Sequence, residues 1–186
     1  MERLYRQLKE YKPYNRAEAA DQQAMLEFIE KNPDGLTRDN KTAHFATSAW
    51  VVNKDRTKVL MIYHNIYNSW SWAGGHADGN RDLLQVVRKE IAEETGLEEM
   101  KLLCPGIFSI QILPVERHIK KGQVVAPHLH LDVDWLFEAD DSLPLKIKED
   151  ENSAVGWVNI ADIDTVVTEE KMKPVYALLN EKARLY

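Results

Sequence analysis

Between Trp72 and Leu97 the chain reads WAGGHADGNRDLLQVVRKEIAEETGL, and three of its acids, Glu90, Glu93 and Glu94, have the type and spacing to hold a cation. At about 100° per residue on a helix, Glu90 and Glu94 lie one above the other and Glu93 joins them within an arc of roughly 100°. Like charges at i, i+4 weaken a helix by about 0.2–0.5 kcal/mol per pair, and a bound cation would offset that. Oxygen donors, with no cysteine and a single histidine in the stretch, favour Mg²⁺ or Mn²⁺ over Zn²⁺. Gly74 and Gly75 let the backbone come close to a metal or phosphate, and Gly74 offers a bare carbonyl as a further ligand. An EF-hand loop is the rival reading, because Asp78, Asn80 and Asp82 match its first three ligand positions. It fails at its sixth position, where Leu83 replaces the needed glycine, and at its twelfth, where Lys89 replaces a bidentate glutamate.

The acids need a helix to carry them. Starting near Asp82, the apolar residues Leu84, Val87 and Ile91 recur at i, i+3 and i+7, one face of an amphipathic helix that must pack into a core. Gly96 is the expected C-terminal stop. Upstream, Trp70 and Trp72 alternate with Ser69 and Ser71, so a short strand is expected to deliver the glycines. Trp72 is a candidate to stack on a nucleobase, with core packing as the alternative.

This stretch resembles the Nudix box, the loop-helix signature of the Nudix hydrolases, written G-x5-E-x7-R-E-U-x-E-E-x-G-U with U aliphatic. Aligned on Gly75, the chain matches at Glu90, Ile91, Glu93, Glu94, Gly96 and Leu97, with Arg81 in place of the family's first glutamate and Lys89 in place of its arginine. In the family those two positions support the loop and orient the metal-binding glutamates. Asp82 is a candidate substitute for the missing acid, and Lys89 keeps the charge of arginine without its bidentate fork. The resemblance implies an α+β fold of the Nudix type, an α/β/α sandwich on a mixed sheet. It also implies a Mg²⁺-dependent (or Mn²⁺-dependent) hydrolase of the pyrophosphate bond in a nucleoside diphosphate linked to another moiety; a cytoplasmic location is expected from the lack of a signal-like apolar run in the first residues. On the Nudix reading Gly74, Glu90, Glu93 and Glu94 hold the metal, Lys89 orients Glu90 or neutralises part of the cluster, and Glu93 or a late-loop glutamate, Glu149 or Glu151, is the base. A Nudix-fold module that binds a nucleotide without turnover is the alternative.

Around the box the chain reads as alternating strands with a helical arm in front. Residues 1–42 form an N-terminal helical extension: a first helix is expected through Leu4, Leu8 and Tyr11, and a second begins at the Asn15/Glu18 capping box with Ala24, Phe28 and Ile29 inward. A lid, a dimer surface and a packing arm are its three candidate uses. Residues 43–186 then make one domain. Strands are expected over 44–52, 58–64, 107–113 and 127–137, with a closing core strand at 155–160. Residues 114–127 are expected to form a loop whose basic tip, with Arg117, can meet substrate phosphate. In the strand PHLHLDVDWLF, Leu129, Leu131, Val133 and Trp135 face a core while His128, His130, Asp132 and Asp134 face the other way. That polar side reads as a substrate-binding wall or a solvated face. His-x-His can also hold a metal, but its local sequence offers no third ligand of matching type. Thr168 is expected to cap a C-terminal helix with Met172, Tyr176 and Leu179 inward, bent near Pro174.

A net charge of −6 over 186 residues argues against a groove for a nucleic-acid polymer, which needs a basic face. A small anionic nucleotide remains compatible because a bound divalent ion reverses the local sign. The first residues, MERLYRQLKEYKPY, lack the apolar run of a signal peptide or membrane span. Cys104 stands alone, beside Leu102 and Leu103, and reads as a buried filler.

Overall fold

The computed structural model describes residues 1–120, 122–148 and 152–186. In chain order, α1 (Glu2–Glu10) and α2 (Arg16–Lys31) precede β1 (Ala43–Asn53), β2 (Lys58–His64), β3 (Ser69–Ser71) and β4 (Ala73–His76). Then come α3 (Leu83–Thr95), β5 (Lys101–Leu102), β6 (Ser109–Val115), β7 (His118–Lys120), β8 (Gln123–Val125) and β9 (His128–Ala139). The chain ends with β10 (Asn152–Asn159), α4 (Ile163–Val166) and α5 (Lys173–Ala183). The strands of the main sheet follow the order β10-β2-β1-β9-β5, with β3 on β2, β4 on β1 and β6 on β9. Among the described residues no helix is long and apolar enough to cross a membrane. The chain divides into two compact units, each of which takes part of β1, β4, α3 and β9.

The first unit comprises Met1–Ser48, Gly75–Val86 and Gly106–Asp134. Asn15 caps α2 by accepting the Glu18 N–H at 2.9 Å, as the capping box requires. The inward face of α2 carries Glu18, Met25 and Ile29 instead of Ala24, which is exposed. The reason is Glu18: it is only 2% exposed, and its carboxylate accepts from Ser109 Oγ at 2.6 Å, from the Tyr11 hydroxyl and from the Tyr14 N–H. Satisfying that acid sets the rotation of α2 on β6. Strand β6 pairs antiparallel with β9 from Ser109↔Asp134 to Val115↔His128. The expected loop at 114–127 holds a small antiparallel hairpin, β7 with β8.

The expected polar face of β9 differs from the structure. Asp132 and Asp134 are 3% and 0% exposed, so both faces of this part of the strand are covered, while Leu129 on the expected core face is 38% exposed. Ser48 Oγ donates to Asp132 at 3.0 Å. Burial pushes the Asp132 carboxyl up to about 7, against the hydrogen bonds from Ser48 and Asp134. Alternation separated the two faces but could not say that the polar one is covered at Asp132 and Asp134.

The second unit comprises Ala49–Gly74, Val87–Pro105 and Trp135–Tyr186. Its core includes Trp50, Leu60, Met61, Ile62, Ile91, Trp135 and Tyr176, all at most 1% exposed. Strand β10 pairs antiparallel with β2 from Val155↔Ile62 to Asn159↔Lys58 and stands at the end of the strand order, half-buried, instead of closing the core. Met172, Tyr176 and Leu179 are buried as expected. Thr168 does not cap α5: its hydroxyl donates to the Asn68 carbonyl at 3.0 Å, and α5 begins with Pro174 in its first turn, where a missing N–H costs nothing. Cys104 is buried, with Sγ 3.5 Å from the Tyr186 hydroxyl.

Candidate active site

The box helix α3 is anchored by Leu83, Val86, Val87 and Ile91, which are buried, while Leu84 is half-buried. The stripe is therefore shifted by one residue at its start. Gly96 ends the helix at φ +72°, and a Cβ there would stand 2.9 Å from Lys146 Cβ and 3.2 Å from the Lys146 backbone nitrogen. Positive φ and close approach both require glycine at this point. The Lys146 N–H donates to the Thr95 carbonyl at 2.8 Å, tying the late loop to the end of the helix.

The three glutamates occupy different environments. Glu94 is 4% exposed, and its Oε2 accepts the backbone N–H of Gly74 at 3.2 Å. Burial first, and then the neighbouring charge of Glu90, push the Glu94 carboxyl up to about 8, against the Gly74 N–H, the Asn152 amide and the Lys148 ammonium. Glu90 is half-buried. Glu93 is exposed and paired with Lys89, Nζ to Oε1 2.8 Å across one helical turn. That contact raises the Lys89 ammonium above its ordinary value, through the Glu93 hydrogen bond in the first place. Lys89 thus pairs with Glu93 and also feels the charge of Glu90.

Asn152 and Lys148 had not been singled out from the sequence. Both belong to the stretch 138–153, whose acidic composition reads as a solvated loop, and only the tie from Lys146 to Thr95 reveals that it runs beside the helix end. Glu149 and Glu151, the late-loop candidates for the base, lie outside the described residues.

The donor set around Glu94 fits a hard divalent ion. A carboxyl held largely neutral by burial and by a second carboxylate is the situation a cation reverses, and the donors at hand are oxygens. Gly74 meets Glu94 through its N–H, which fixes the carboxylate's orientation.

The other expected substrate contacts are Trp72, Arg117, His128 and His130. Trp72 is 8% exposed and packs edge-to-face on Tyr176, ring centroids 5.4 Å apart, so it serves the core of the second unit. In the first unit, Arg117 and His128 line a pocket with Thr42, Pro114, Val115, Glu116, Pro127 and Leu129. His130 is surrounded by other histidines: its Nε2 is 3.2 Å from His76 Nε2 and 3.2 Å from His128 Nε2. Burial, with the neighbouring imidazoles, pushes its pKa down to about 2, and burial likewise lowers that of His44. Asp82, the candidate substitute acid, is engaged in the first unit, accepting from Arg3 at 2.6 Å and from the Gln85 N–H at 3.3 Å as a helix cap.

Residues 42–179 match the model of the NUDIX domain. An RNA pyrophosphohydrolase of Pelagibacter ubique (strain HTCC1062) is 27% identical over 139 residues, covering 72% of this chain and 87% of that protein. Among solved structures, the Nudix hydrolase RenU from M. smegmatis superimposes with a TM-score of 0.57 at 14% identity over 76% of this chain and 86% of the other. A C. elegans Ap4A hydrolase in a binary complex gives 0.54 at 18% identity over 76% of this chain and 95% of the other. At such identities the likeness is one of fold: a mixed sheet with flanking helices, as the box resemblance implied.

Proposed function

Since this chain belongs to the NUDIX domain family, we propose that it hydrolyses the pyrophosphate bond of a nucleoside diphosphate linked to another moiety, using Mg²⁺ or Mn²⁺ held at Glu94 and Glu90. The observation that carries this reading is the buried Glu94 carboxyl, raised to about 8 and facing Gly74 across 3.2 Å. When bound, the divalent ion supplies charge neutralisation for the pyrophosphate and a lowered pKa for the attacking water.

The protein's own groups have distinct tasks. Glu94 and Glu90 supply the oxygen donors, with Glu93 and the Gly74 carbonyl as additional ones. The Gly74 N–H holds the Glu94 carboxylate in place. Asn152 and Lys148 favour its charged form. Lys89 holds Glu93 within one helical turn, so Glu93 is positioned to accept a proton from water, a role shared as candidates by Glu149 and Glu151. Residues 43–186 are the catalytic domain on this reading. Residues 1–42 are a packing arm, because Glu18 and Asp21 of α2 accept hydrogen bonds from Ser109 and Ile112 of β6.

The test is product release from ADP-ribose, dinucleoside polyphosphates, nucleotide sugars, nucleoside triphosphates and an RNA with a 5′ pyrophosphate, with and without Mg²⁺ or Mn²⁺. The RNA arm follows from the printed name of the Pelagibacter relative. Metal-dependent release from a nucleotide supports the reading. Release from RNA alone would replace its small-molecule substrate, and nucleotide binding without product would replace hydrolysis.

A further inference from the structure

Four histidines of the first unit come together from three segments of chain: His44 from β1, His76 from the end of β4, and His128 and His130 from the start of β9. The His44 ring centroid lies 5.2 Å from that of His76, 4.9 Å from that of His128 and 5.1 Å from that of His130. One ligand nitrogen from each of His44, His76 and His130 falls within 4.8 Å of the other two.

The hydrogen bonds fix which nitrogens are bare. His44 Nδ1 is 3.1 Å from the Asn40 carbonyl, and His128 Nδ1 is 2.9 Å from the Ala126 carbonyl. A carbonyl only accepts, so each Nδ1 carries a proton and Nε2 is the ring atom left to bind an ion. His44 is 4% exposed, and its Nε2 is buried without a hydrogen-bond partner. His128 Nε2 and His76 Nε2 each lie 3.2 Å from His130 Nε2.

We propose that His44, His76 and His130, with His128 beside His130, form a metal site made of residues other than the glutamates, with the ligand chemistry of a Zn²⁺ ion. In a tetrahedral site with Zn–N bonds of about 2.0–2.1 Å, neighbouring nitrogens stand about 3.3 Å apart, and the two Nε2 separations of 3.2 Å match that spacing. A set of imidazoles selects a borderline transition ion over Mg²⁺. The backbone carbonyls on the Nδ1 side of His44 and His128 are the outer partners that orient metal-binding histidines. The three nitrogens come from three segments of chain, so a bound ion would fasten the segment after Gly75 to the starts of β1 and β9.

The test uses the full chain, stripped with a chelator and refilled with Zn²⁺ or Co²⁺ in excess Mg²⁺. The expected result is about one zinc per chain by mass spectrometry, retained in Glu94→Gln and reduced to below about one tenth in a His44→Ala/His130→Ala double variant. Two readouts on the unmutated protein need no folded variant: Co²⁺ should show the visible absorption of a tetrahedral nitrogen site, and Zn²⁺ should shift the ¹⁵N resonances of the Nε2 atoms of these four histidines. A wild-type chain that takes up no zinc, zinc kept by the double variant, or zinc lost with Glu94→Gln would each overturn the assignment.

Discussion

The backbone N–H of Gly74 donates to Oε2 of Glu94 across 3.2 Å, so a residue of the glycine-rich strand β4 holds a carboxylate in the last turn of α3. This contact orients a buried acid whose charge is otherwise disfavoured by burial and by Glu90.

The first prediction concerns pH. The Glu94 carboxyl is raised from its ordinary 4.5 to about 8 in the metal-free protein. A raised folded pKa means that the neutral form contributes stability, fully present below the unfolded value and lost as pH climbs through the folded one. Metal-free protein should therefore lose melting temperature relative to Glu94→Gln across the window from 4.5 to about 8. Mg²⁺ added near neutrality should release protons, because the ligand form is the carboxylate. Parallel melting curves for the two proteins at every pH would contradict this.

Gly96→Ala tests the end of the box helix. At φ +72°, with Lys146 Cβ 2.9 Å from the position a Cβ would take, alanine is strained in conformation and in space. A loss of about 1–3 kcal/mol is expected by chemical denaturation. An unchanged midpoint would show that the late loop yields without cost.

Lys89 should separate stability from activity. Its pair with Glu93 spans 2.8 Å between side chains that are 64% and 42% exposed, a class of contact that contributes about 0–1 kcal/mol. Lys89→Met should leave the melting temperature nearly unchanged while lowering kcat about 10-fold, with Lys89→Arg restoring it. Equal loss in both variants would deny that a cation at this position positions Glu93.

Glu18 tests the packing of the N-terminal arm. Its carboxylate accepts from Ser109 at 2.6 Å and from the Tyr14 N–H at 2.6 Å while only 2% exposed. Glu18→Ala should cost about 2–4 kcal/mol, because it strands buried donors. A neutral result would mean that the helices do not contribute to the stability of the first unit.

Periodicity and turn chemistry made much of the fold legible: the capping box at Asn15, the hairpin of β1 and β2, the box helix and the stop at Gly96 all follow from local sequence. The glutamates could be named from their spacing, and the family signature gave them a chemistry. What could not be read was long-range. His128 and His130 lacked a third ligand because His44 and His76 lie far from them in sequence and meet them only through strand pairing. The burial of Asp132 and Asp134 likewise depends on what covers the sheet face, which alternation within one strand does not record. Lys148 and Asn152 were hidden in a stretch whose composition resembles solvent-exposed loop.

The most direct measurement is metal-dependent turnover of the nucleotide panel by wild type and Glu94→Gln, each first checked for an unchanged fold. Removing one carboxylate donor from the site should lower kcat at least about 100-fold with Mg²⁺ or Mn²⁺ present. A Glu94→Gln protein that turns over substrate at the wild-type rate would contradict the placement of the active site at this buried carboxylate.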